Sequence, residues 1–135
     1  MATKICVGGF ISRENKFLFG KRSPEKDWAA GLWDIPGGKA LKNENPLFTL
    51  RREVKEETGL RVRDAELLTI MNITANKNVI FTYHIYMITS YKGKAENLSH
   101  EHTVLRWFIR EELNSISLAL PQYLTLLDNW IITSK

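Results

Sequence analysis

The sequence predicts an α/β fold of the α+β kind, in which a mixed central sheet carries helices packed on its faces. Three observations lead there. Segments of strand character follow one another through turn residues as hairpins, without regular strand-helix alternation. Only two stretches show helical spacing of apolar residues, and no repeat, low-complexity tract or interdomain linker interrupts the chain.

Residues 4–11 and 16–21 are apolar-rich and separated by Arg13, Glu14 and Asn15, which reads as a hairpin. Residues 23–31 form a loop. An extended piece at 32–35 runs into Pro36, Gly37 and Gly38, where proline fixes one dihedral and glycine lets backbone approach a ligand. Residues 46–58 read as a helix: Asn45 can cap it, Pro46 suits its first position, and Gly59 supplies a left-handed stop. Leu47, Leu50 and Val54 share one stripe, which should face the core. Residues 61–74 and 79–91 are β-rich and joined by a turn at Asn76, Lys77 and Asn78. Another strand is expected at 104–109, and a final amphipathic helix at 118–132 with Pro121 near its start.

One domain spanning 1–135 is expected, because the length suits a single core and the composition, 44% hydrophobic and 25% charged, is that of a globular chain. The single cysteine, Cys6, has no partner for an internal bridge and reads as a small hydrophobe, which suits a reducing compartment. Neither a secretory signal nor an apolar run near the roughly 20 residues of a membrane span is visible. A cytoplasmic location without a membrane partner follows as the expectation. The net charge of +4 invites nucleic-acid binding, but the 19 basic residues are dispersed and form no block of like charge, so nucleic acid is not the expected partner.

The chemistry is concentrated between Gly38 and Leu60. Glu53, Glu56 and Glu57 stand at i, i+3 and i+4 of the helix, so their carboxylates emerge on one face within reach of a shared ion. Three like charges so close disfavour the helix unless a cation compensates, and hard divalent ions prefer such oxygen ligands. A solvated acidic face supported by Arg51, Arg52 and Lys55 is the competing reading. No Gly-x-Ser-x-Gly elbow and no phosphate loop ending in Gly-Lys-Ser/Thr is present.

With its neighbours, this segment resembles the Nudix box, Gly-x5-Glu-x7-Arg-Glu-apolar-x-Glu-Glu-x-Gly-apolar. Gly38, Glu44, Arg52, Glu53, Val54, Glu56, Glu57, Gly59 and Leu60 fill every defined position, and Trp33 to Gly37 is similar to the family's approach to the box. Leu41 and Asn43 depart from common choices at undefined positions. The resemblance implies a Nudix α/β/α sandwich with a loop-helix-loop catalytic motif. It implies Mg²⁺, with Mn²⁺ as substitute, held by Glu53, Glu56, Glu57 and a carbonyl of Gly37 or Gly38. Arg52 would hold the glutamates in place, and Glu44 would support the loop.

The stretch Ser99-His100-Glu101-His102 ahead of Trp107 is similar to one in MutT-like members, which implies Glu101 as a further metal ligand or general base. His102 as the base is the competing reading, and no histidine is assigned to catalysis. For substrate, Arg22 and Lys39 can reach phosphate, and Trp33 or Trp28 can stack on a base or pack in the core. Gln122 stands near the helix start where such members often read the base with Asn or Asp, from which glutamine departs.

The implied reaction is hydrolysis of a diphosphate linkage in a nucleoside diphosphate derivative by a monomer or homodimer. A nucleoside triphosphate, normal or oxidised, is the favoured substrate, giving nucleoside monophosphate and pyrophosphate. Ala75, Asn76, Lys77 and Asn78 lack the proline or tyrosine that ADP-ribose and dinucleoside polyphosphate enzymes place there. Coenzyme A enzymes are similar at Arg22, Ser23 and Gly31, but carry arginine where this chain has Asp27. An ADP-ribose or nucleotide-sugar hydrolase and a non-catalytic nucleotide sensor remain as alternatives.

Overall fold

The computed structural model describes residues 2–134, with the backbone alone at Ala75 and Asn76. Met1 and Lys135, the ends of the expected domain, lie outside the described residues, as do the side chains of Ala75 and Asn76 on which part of the turn and substrate reading rests.

Strands β1 (Ala2–Arg13) and β2 (Lys16–Arg22) form the expected hairpin. Glu14 and Asn15 both take positive φ, 50° and 66°, as a two-residue turn matching the twist of its strands requires. The extended piece before the glycines is β3 (Trp33–Asp34), and the glycine segment itself is a strand, β4 (Gly37–Lys39), which the sequence reading treats as loop. Helix α1 (Pro46–Thr58) has the expected bounds: Asn45 Oδ1 accepts from Phe48 N at 2.8 Å, and Gly59 stops the helix at φ 79°. Strands β5 (Arg61–Asn76) and β6 (Val79–Lys92) are an antiparallel pair, followed by β7 (His102–Ile109) and a 3₁₀ turn at Arg110–Ser115 that periodicity did not signal.

The last helix needs correcting. α2 spans Gln122–Thr133, not 118–132. The backbone before it is already committed to the sheet: Trp33 N donates to Ser117 O at 2.9 Å and Ala119 N donates to Trp33 O at 2.7 Å. Apolar spacing alone cannot report that commitment.

The sheet is mixed, as expected. β1 runs parallel to β6 from Ala2–Val79 to Ile11–Ile88, and on its other edge pairs antiparallel first with β4 and then with β2. β2 in turn carries β3 and β7, both antiparallel. Side chains alternate across the sheet, so adjacent residues feed different cores. Phe10, Phe19 and Met87 join Tyr123 and Leu127 of α2 on one face, whereas Ile11, Leu18 and Ile88 join Leu50 and Val54 of α1 on the other. The result is a helix-sheet-helix sandwich. Among the described residues no helix is long and apolar enough to cross a membrane.

Candidate active site

The stripe that buries α1 also carries an acid. Glu57 lies seven residues after Leu50 and three after Val54, so the packing that buries those two draws its carboxylate inward, to 3% side-chain exposure. Its Oε2 accepts from Gly37 N at 3.0 Å, and its Oε1 stands 3.6 Å from His102 Nδ1. Burial pushes this carboxyl well above the usual range, and the charges of Glu53, Glu101 and Asp34 push it the same way. Glu53, one turn earlier, sits at the border of the buried stripe; its carboxyl is raised by burial first, with Glu56 and Glu101 adding to the effect. Glu56 points outward, its side chain 58% exposed.

The glycines of β4 make this approach possible. A Cβ on Gly37 would overlap the Val7 carbonyl and Gly8 Cα, and one on Gly38 would overlap the Glu53 carboxylate. Side-chain-free backbone is therefore wedged between β1 and the acidic face of α1. Arg52 organises the outer side. Its Nε and Nη2 bind Glu44 at 2.6 and 2.9 Å, Nη1 reaches Glu53 at 2.6 Å and Glu56 at 3.2 Å, and Nη2 also donates to Lys39 O at 3.0 Å. Glu44 accepts in addition from Leu41 N and Thr49 Oγ1, and its carboxyl is pulled down to about 2, chiefly by the Arg52 hydrogen bond. It is thus turned to the arginine and the loop.

The loop entering β7 supplies Glu101 and His102. Glu101 is ion-paired with Lys26, which lowers its pKa, and its side chain is 47% exposed. His102 is buried, and burial lowers its pKa to about 4. Among the described residues its Nδ1 is the buried side-chain nitrogen or oxygen without a hydrogen-bond partner.

Of the expected substrate contacts, Arg22 closes the 23–31 loop through Trp28 O at 2.8 Å, lies 5.2 Å from the centre of the Trp28 ring, and reaches Asp34 Oδ2 at 3.4 Å. Lys39 Nζ lies 5.3 Å over the Phe81 ring, and Gln122 is the exposed first residue of α2. Trp33 takes the packing alternative: it is 8% exposed, edge-on to Phe108, with the Arg106 guanidinium 5.4 Å from its ring. Stacking on Trp33 has no open face to use, because core and Arg106 cover it.

Two residues near the site escaped the sequence reading. Asp34 is buried, accepts from Tyr123 OH and from its neighbour Ile35 N, and has its carboxyl raised by burial. The available signal was an acid set between Trp33 and Ile35. Lys26 gives no such signal, since its partner Glu101 is distant in sequence.

The donor chemistry fits a hard divalent cation. The Glu53 and Glu57 carboxylates meet at the β4 glycines, where burial first and neighbouring acids second raise their proton affinity, and a cation relieves such a region of negative potential. As they stand, no three acidic, imidazole or thiol groups among the described residues share a common ligand spacing, and Arg52 and Lys26 engage Glu53, Glu56 and Glu101.

A model of the NUDIX domain matches residues 2–128. The chain is 29% identical over 119 residues to an 8-oxo-dGTP diphosphatase of Buchnera aphidicola, covering 88% of this chain and 86% of that protein. It is 30% identical over 113 residues to a CTP pyrophosphohydrolase of Escherichia coli, covering 84% and 81%. The solution structure of the E. coli ORF135 protein superposes with a TM-score of 0.79 at 29% identity, covering 98% of this chain and 91% of that one.

Proposed function

The chain belongs to the NUDIX family of hydrolases acting on diphosphate bonds, and from that premise we propose that it cleaves a nucleoside triphosphate, normal or oxidised, to nucleoside monophosphate and pyrophosphate with Mg²⁺. The observation that supports the reading most is the pair of acids at the β4 glycines, with Glu57 bound to Gly37 and Glu53 resting on Gly38. Glu53, Glu56, Glu57 and Glu101, with a carbonyl of Gly37 or Gly38, are the groups that would hold the ion; Mn²⁺ shares the preference for such oxygens. When bound, the ion supplies charge neutralisation on the phosphate oxygens and lowers the pKa of a water.

The protein's own groups do the rest. Arg52 keeps Glu53 and Glu56 pointed to one side of α1. Arg22 and Lys39 bring positive charge for the phosphates. Glu101, held ionised by Lys26, is suited to accept a proton or to join the metal ligands. Gln122 both donates and accepts at the start of α2, as a base edge requires, and Trp28, beside Arg22, offers a ring for stacking.

The triphosphate choice is supported by the two relatives, one named for 8-oxo-dGTP and one for CTP. The test is a hydrolysis panel of normal and oxidised nucleoside triphosphates, ADP-ribose, nucleotide sugars, dinucleoside polyphosphates and coenzyme A. A triphosphate should turn over fastest, releasing pyrophosphate. Faster cleavage of ADP-ribose or a nucleotide sugar overturns the substrate, and tight binding without product from any compound overturns the enzyme reading in favour of a sensor.

A further inference from the structure

Strand β7 does not enter the sheet in regular register. Lys21 of β2 faces Val104, but Arg22 faces His102, so Thr103 is an extra residue in a bulge. Val104 packs with the α2-side core and Leu105 with the α1-side core, and simple alternation would send His102 to the same side as Val104. The bulge reverses it, and the ring lies on the α1 side next to Glu57.

The space it fills is prepared. The ring lies directly on Gly20, where a Cβ would stand 2.5 Å from two ring carbons, Cγ and Cδ2, and 2.9 Å from Nδ1. Its backbone is tied down separately, since His102 O accepts from Asn97 Nδ2 at 2.9 Å. The ring is therefore fixed from behind, and its partnerless Nδ1 faces Glu57 Oε1 across 3.6 Å. That separation is just beyond a hydrogen bond, and a small rotation of the carboxylate closes it. Both side chains are 3% exposed, so water is a poor substitute for either.

We propose that His102 is a positioning residue for Glu57: its Nδ1–H donates to Glu57 Oε1 while Gly37 N–H holds Oε2, and together they fix the plane in which the carboxylate meets the cation. The proposal rests on Glu57 being a metal ligand. It gives the histidine no part in proton transfer, and no change of ring charge is involved. Hydrogen bonds of this outer kind orient ligands and strengthen metal binding.

The test is Mn²⁺ binding, followed by electron paramagnetic resonance without substrate, in the wild-type chain and in His102→Leu, His102→Asn and Glu57→Gln. Leucine removes the donor, whereas the asparagine amide nitrogen can stand near the place of Nδ1. His102→Leu should weaken Mn²⁺ about ten- to a hundred-fold, the range for groups that support metal ligands, and His102→Asn should regain most of that loss. Wild-type affinity in His102→Leu with binding lost in Glu57→Gln overturns the role of His102 alone. Wild-type affinity in Glu57→Gln overturns the metal-ligand reading and the histidine's role with it. Unchanged Mn²⁺ affinity with turnover lost in both His102 variants makes the ring a proton carrier and also overturns the proposal. If a variant fails to fold, ¹⁵N–¹H correlation of the wild-type imidazole decides: the hydrogen should sit on Nδ1 with and without Mg²⁺, and a hydrogen on Nε2 overturns the proposal.

Discussion

Arg52 grips Glu44 through two nitrogens and Glu53 and Glu56 through a third, so one guanidinium sets the outer edge of the acidic face. The Glu44 carboxyl is lowered to about 2, against about 4.3 for an unfolded chain. A group whose folded pKa is depressed contributes stability that is present above the unfolded value and is lost as pH falls through the folded one. Denaturant midpoints of the wild type and Glu44→Gln should therefore differ most above about pH 5 and converge as the pH falls toward 2. An offset independent of pH would show that the carboxylate charge is not what Arg52 uses. Glu53, Glu56 and Glu57 stood out in the sequence as candidates because helical spacing and the surrounding Nudix-like motif single them out together, whereas the outward turn of Glu56 is set by the fold. The orientation of His102 was not, because it depends on one extra residue in the β2–β7 ladder, and the Lys26–Glu101 pair joins loops that only the tertiary fold brings together.

At the scale of elements, α1 is specified by its own sequence: Asn45 caps it, Pro46 begins it and Gly59 ends it in the left-handed region. Gly59→Ala keeps the φ of 79° only with strain, since an L side chain there costs roughly 1–2 kcal/mol, and the added Cβ would press on Leu98 at 3.2 Å. Denaturant unfolding should show a loss of that order, and an unchanged midpoint would mean the helix end relaxes elsewhere. α2 was less legible. Its apolar spacing continues upstream through Leu118, yet the backbone from Ser117 to Ala119 is bonded to Trp33, a partner far away in sequence. The same holds for β4, whose glycines have little strand propensity and are extended because β1 offers Cys6, Val7 and Gly8 as partners.

Across the whole molecule, the sheet separates two cores, and α1 holds the acidic face against one of them. Leu50 is fully buried there, with its Cδ1 close to Gly9 of β1. Leu50→Ala should cost about 2–5 kcal/mol in unfolding, a large part of the roughly 5–15 kcal/mol of a typical domain. It should also loosen the fit of Glu57 on Gly37, since the same stripe places both residues. A loss under about 1 kcal/mol would show that α1 is not anchored through this stripe. The most direct test of the account is pyrophosphate release from the best triphosphate by wild type and Glu57→Gln at saturating Mg²⁺, the folded state of each being checked first. Wild type should form product only with a divalent ion, and the variant should fall at least about a hundred-fold, in line with the several kcal/mol a bound metal supplies. Near-wild-type turnover by Glu57→Gln would contradict it.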